Sequence, residues 1–103
     1  MSKLFQTDPV SIYPQSPKEG LIVMHPGMGR KLDCYQTEYD FNLYTDKEDF
    51  INATDNYREV HLHQDNDCEE NVLLVKNEIR KELGNPSKVK LFRKNDNLFL
   101  LPV

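Results

Sequence analysis

The densest concentration of side chains able to do chemistry is the stretch His61-x-His63-x-Asp65-x-Asp67-Cys68. On a β-strand, residues i and i+2 project from one face, so His61 and His63 stand close enough to share a metal ion. Asp65 and Cys68 follow within reach. Together the four offer a mixed nitrogen, oxygen and sulfur donor set, for which zinc is the natural ion. The same residues also have a plainer reading, with the histidines on the polar face of a strand beside Glu59 and the acids serving a turn and a helix cap. The plainer reading is the expectation: no cofactor, with zinc as the alternative. A calcium loop is excluded, because Asp65-Asn66-Asp67 lacks the turn glycine and its twelfth position is Lys76 rather than a glutamate.

Two further groups could carry function. Gly27, Gly29, Arg30 and Lys31, within His25-Pro26-Gly27-Met28-Gly29-Arg30-Lys31, could offer backbone amides and cations to an anion. They lack the spacing of a phosphate-binding loop, and a Pro-Gly pair most often marks a plain turn. Cys68 is the best nucleophile candidate, since a helix N-terminus would lower its thiol pKa and His63 is near in sequence. Its neighbours Asp67, Glu69 and Glu70 oppose that shift, and Cys34 has no evident activating partner. No catalytic residue is nominated, and an enzyme is the less expected outcome.

The elements that must position these residues follow from periodicity and stop signals. Residues 1–20 hold Pro9, Pro14, Pro17 and Gly20 and read as an N-terminal arm, with room for a short edge strand at Val10–Tyr13. Residues 21–103 then form a single domain. Leu21-Ile22-Val23-Met24 is a buried strand, and Gly27–Lys31 a flexible loop. Tyr35, Thr37, Tyr39, Phe41 and Leu43 alternate with polar residues, the mark of a strand with one buried face. Thr45-x-x-Glu48 is a capping box that opens a two-turn helix. Residues 57–63 make a strand with Val60 and Leu62 inward.

Asp67-x-x-Glu70 reads as a second capping box, with a long helix from Cys68 carrying Val72, Val75, Ile79 and Leu83 and stopping at Gly84 and Pro86. The chain closes with a hairpin about Asn95-Asp96, in which residues whose numbers sum to 191 lie opposite one another. Val89, Leu91 and Leu100 then face the core. Phe92, Phe99 and Leu101 share the second face, which the arm, a helix or another chain must cover.

The expected fold is therefore α+β: a mixed or antiparallel sheet of about five strands on one long and one short helix, in the order β-β-α-β-α-β-β. A length of 103 residues allows one core, and two cysteines in such a chain are read as free thiols. The net charge of −4, with scattered Lys and Arg, makes nucleic acid a poor partner. Neither a signal peptide nor a membrane-length apolar run is present, so a soluble, cytoplasmic protein is expected. The expected function is a small interaction or regulatory module, an accessory subunit or compact inhibitor, that touches another protein or itself through Phe92, Phe99, Leu101, Tyr44 and Tyr57. The alternative is a metal-binding protein or metal-dependent enzyme built on His61, His63, Asp65 and Cys68.

Overall fold

The computed structural model describes residues 3–14 and 20–103. Among these residues lie eight strands and three short helices: β1 (Leu4–Gln6), β2 (Val10–Tyr13), β3 (Leu21–Met24), α1 (Pro26–Lys31), β4 (Glu38–Tyr44), α2 (Lys47–Asn52), β5 (Arg58–Gln64), β6 (Val72–Leu74), α3 (Asn77–Glu82), β7 (Lys88–Lys94) and β8 (Asn97–Pro102). Seven strands close into a barrel in the order β7-β2-β6-β3-β5-β4-β8, with β8 returning to β7. Three pairs, β2–β6, β3–β5 and β4–β8, run parallel, while β2–β7, β3–β6, β4–β5 and β7–β8 are antiparallel. β1 lies outside the ring, paired with β7. No described helix is long and apolar enough to cross a membrane.

This overturns the expected α+β arrangement of five strands on a long helix. The decisive segment is 68–83. Asp67 does not cap a helix: its amide donates to the Asp65 carboxylate at 2.9 Å and the Cys68 amide to the Asp65 carbonyl at 3.1 Å, closing a turn. Asn71 then takes a left-handed φ of 63°, and Val72–Leu74 emerge as β6 between β2 and β3. A strand held on both edges and covered on both faces needs consecutive apolar residues, and Val72-Leu73-Leu74-Val75 supplies them. Only Asn77–Glu82 remains helical, with Ile79 buried.

The other strands follow from alternation. Phe41 and Leu43 on β4, Val60 and Leu62 on β5, and Leu91, Leu98 and Leu100 on the last hairpin meet in one core. The hairpin register is the expected one, Leu91 opposite Leu100 and Phe92 opposite Phe99, with Asn95 left-handed at φ 56°. Cys34, expected on a polar strand face, is instead buried in that core, because the chain there is still leaving α1. Both cysteines are free thiols. β2 sits where an edge strand was expected but is interior, between β7 and β6, with Val10 and Ile12 buried, so residues 10–13 belong to the barrel. Pro17 and the rest of 15–19 lie outside the described residues.

The loop expected at Gly27–Lys31 is α1. Pro26 presets the first helical φ, and the His25 ring caps the turn, its Nδ1 accepting from the Gly27 amide at 2.9 Å. Gly29 is needed here for space. The buried Gln64 carboxamide gives its two hydrogens to the carbonyls of Cys34 (3.1 Å) and Gln36 (2.5 Å), which turns its oxygen against Gly29. α2 begins one residue later than expected, at an Asp46 cap that accepts from the Asp49 amide at 3.0 Å. An ionised Asp is the stronger cap for a helix N-terminus, and Thr45 is left to meet Glu82.

Arg93, the last inward position of β7, fastens the segment between α1 and β4 to the barrel. Its guanidinium carbon lies 5.4 Å from the Tyr39 ring centre and 5.0 Å from that of Phe41. Its nitrogens donate to the carbonyls of Leu32 (3.0 Å), Asp33 (3.0 Å) and Asn95 (2.8 Å). A planar fork that stacks and donates several bonds at once is peculiar to arginine.

Two stability changes are expected. In Gly29→Ala the new methyl collides with the Gln64 oxygen, lowering the free energy of unfolding by about 1–3 kcal/mol in urea titration. Arg93→Lys keeps the charge but loses the stacking and most of the carbonyl bonds, a loss on the order of 2 kcal/mol in the same assay.

Candidate functional site

On β4 the core takes Phe41 and Leu43, with Tyr39 packed against them, which turns Glu38, Asp40 and Asn42 outward. On β5 the core takes Val60 and Leu62, turning Glu59, His61 and His63 outward. The antiparallel register sets these rows face to face: Glu38 opposite His63, Asp40 opposite His61, and Asn42 opposite Glu59. The outer surface of the strand pair is thus polar from Glu38 to Asn42 and from Glu59 to His63. It forms one wall of an open groove of about 570 Å³, lined by Gly20, Asp40, Phe41, Asn42, Glu59, Val60, His61 and Asp96. Three carboxylates and one imidazole line it, with no Lys or Arg among these residues.

His61 is held at both ring nitrogens. Nδ1 lies 2.8 Å from Asp40 Oδ1 directly across the strand pair, and Nε2 lies 2.8 Å from Glu38 Oε1 on the diagonal. The Glu38 carboxylate is also 3.8 Å from His63 Nδ1. Hydrogen bonds to the two carboxylates raise the pKa of His61 above its ordinary value, Asp40 contributing most and Glu38 next, against a smaller opposing effect of burial. The hydrogen bond from His61 likewise holds Glu38 below the usual glutamate range.

The structure brings together only part of the set His61, His63, Asp65 and Cys68. The two histidines share a face as expected, but β5 ends at Gln64, and Asp65 turns the chain away. Among the described residues no three His, Cys, Asp or Glu side chains stand where they could hold one ion. Cys68 opens no helix. It lies beside Asp67, Glu69, Tyr13 and Val72 in a separate cleft of about 350 Å³, where burial first, and Asp65 and Glu69 after it, push the thiol pKa up. The Cys34 thiol is pushed up by burial as well, against the lowering effect of Arg93.

The amides proposed for an anion are already used. Those of Gly27, Met28 and Gly29 all donate to His25, Gly29 is buried, and Lys31 pairs with Asp8 at 3.2 Å. Arg30 remains exposed at the end of α1.

The second face of the final hairpin is covered by a helix, one of the three possibilities. Phe50 of α2 stacks on Phe99 with centroids 5.3 Å apart and meets Tyr44 edge-on at 5.9 Å. Tyr44 and Phe99, two of the five residues assigned to an exposed contact face, are therefore only 2% and 4% accessible. Tyr44 gives its hydroxyl proton to the Thr54 carbonyl at 2.5 Å. Phe92 and Leu101 are half-buried at the rim of this cluster, and Tyr57 is exposed with its ring 5.7 Å from that of Tyr44.

The residues that sequence reasoning missed are the partners of His61. Glu38 and Asp40 stand out only as the polar half of an alternating strand, and Asp96 only as a turn residue. Comparison with protein-family models, curated proteins and solved structures gives no match.

The two shifts define a pH window. The raised His61 value means its stabilisation is fully present below the unfolded value of 6.5 and lost as pH rises through the folded one. The lowered Glu38 value means the reverse: its share is fully present above 4.5 and lost as pH falls through the folded value. The stability difference between the wild type and His61→Gln should therefore be largest between pH 4.5 and 6.5 and shrink on either side, as read from urea midpoints across pH.

Proposed function

We propose that this chain is a small protein-interaction or regulatory module that works by surface contact, and that its contact face is the outer side of β4 and β5 with the groove beside it. The observation that supports this reading is the grouping of Asp40, Glu59 and Asp96 around one open groove of about 570 Å³ with no Lys or Arg among its described lining residues. Two carboxylates elsewhere are matched by cations, Asp8 by Lys31 and Glu82 by Arg58. Asp49 is taken up by Thr54 and Asn56.

An acidic, open surface on a rigid sheet favours a partner segment rich in Lys or Arg. Opposite potentials speed encounter and fix register, even where each exposed pair contributes little. Strand-borne side chains are also better positioned for recognition than loop-borne ones. The apolar rim of Phe92, Leu101 and Tyr57 belongs to the same reading as a secondary contact surface, reduced in area by α2.

The test is a footprint. A partner captured from the native host should protect backbone amides of residues 38–42 and 59–63 from hydrogen exchange. The double variant Asp40→Lys/Glu59→Lys should lose the partner and the protection together while keeping the far-ultraviolet circular dichroism of the folded barrel. Protection centred on Phe92 and Leu101 instead would move the contact face to the hairpin.

A further inference from the structure

The His61 ring does more than sit in an acidic surface. Hydrogen bonds from both of its nitrogens to carboxylate oxygens, each 2.8 Å long, require a proton on each nitrogen, because Glu38 and Asp40 can only accept. Neutral imidazole has one N–H and one lone pair. In that form one of the two contacts sets a lone pair against a carboxylate. The arrangement therefore selects the imidazolium, and the ring acts as an internal cation spanning β4 and β5.

Among the described residues the groups facing it are few. From β4 come Glu38 and Asp40, and from β5 itself Glu59 and His63; the facing segment of β3, Leu21–Met24, carries no titratable side chain, and Asp96 approaches from the β7–β8 turn. All but His63 are acids.

Resting on the contact face proposed above, we infer that His61 is a proton-charged plug in the groove: it occupies the carboxylates that a Lys or Arg of a partner would use, so docking of a cationic segment is coupled to loss of the His61 proton. A guanidinium or ammonium that takes Asp40 and Glu38 removes the interactions that favour the imidazolium. By reciprocity, deprotonating His61 frees one carboxylate, makes the groove more negative by one charge, and strengthens docking. One proton released per binding event sets the limit: affinity for a cationic segment rises with pH by up to about tenfold per unit where His61 titrates. The half-exposed setting of the ring keeps water at the site and makes the observed slope shallower than that limit.

The test uses the whole chain and a peptide of six arginines as probe, with affinity measured by titration calorimetry from pH 5.5 to 8.5 at constant ionic strength. A rise in affinity with pH in the wild type that flattens in His61→Gln supports the coupling. Binding with the same pH dependence in both proteins overturns it and leaves the contact face standing. No binding at any pH overturns both. A second measurement does not depend on the variant or the probe: the imidazole nitrogen resonances of the free protein should show His61 protonated at both nitrogens and titrating above 6.5. Titration of His61 at or below that value overturns the plug.

Discussion

The closing of the sheet on itself is the constraint on which the rest of the molecule depends. Seven strands return to their starting point only because β8 pairs with β7 on one edge and, in parallel, with β4 on the other, Asn42–Tyr44 against Asn97–Phe99. A closed ring has an inside and an outside at every position, and each strand must alternate accordingly. The inside takes Ile12, Ile22, Leu62, Leu73, Leu91 and Leu100, all essentially inaccessible to water. The small helices fill what a short barrel leaves open. α1 and the segment after it bring Met28, Leu32 and Cys34 to the core, and Arg93 ties that segment down. Because Phe41, Leu43, Val60 and Leu62 turn inward, the outer positions 38, 40 and 42 of β4 and 59, 61 and 63 of β5 are free to be polar.

How far this was legible in the residues depends on the range of the signal. The strands about Ile22, Phe41 and Leu62 and the last hairpin announce themselves by alternation or by a turn pair, which are local properties. The segment from Val72 to Val75 does not. Its apolar residues fit a helix through Val72, Val75, Ile79 and Leu83, and fit equally a strand buried on both faces, and periodicity cannot choose between them. The choice is made by neighbours 61 residues away in the chain, β2 at Ser11–Tyr13. Tyr44 shows the same limit on a smaller scale. Alternation turns it outward correctly, but only the packing of Phe50 and Phe99 reveals that outward is buried.

The site divides in the same way. His61 and His63 are legible as a pair because a strand places i and i+2 together. Their meaning is not, because it depends on residues 21 and 23 positions earlier whose register is fixed by the whole sheet. At His61 both ring nitrogens face carboxylates, so its partners in the structure are acids of β4 rather than Asp65 and Cys68.

The placing of β7 and β8 after the other six strands has a further consequence for the order of events in synthesis. β1 and β2 are made before β7, yet both pair with it, and β4 waits for β8. Until residues 88–102 exist, the nascent chain is an open sheet with exposed edges on β2 and β4 and with the inward face of every finished strand in water. Such a chain cannot complete its core strand by strand. It must hold a partly formed sheet and close it in one late step, when a locally folding hairpin arrives to bridge the two edges.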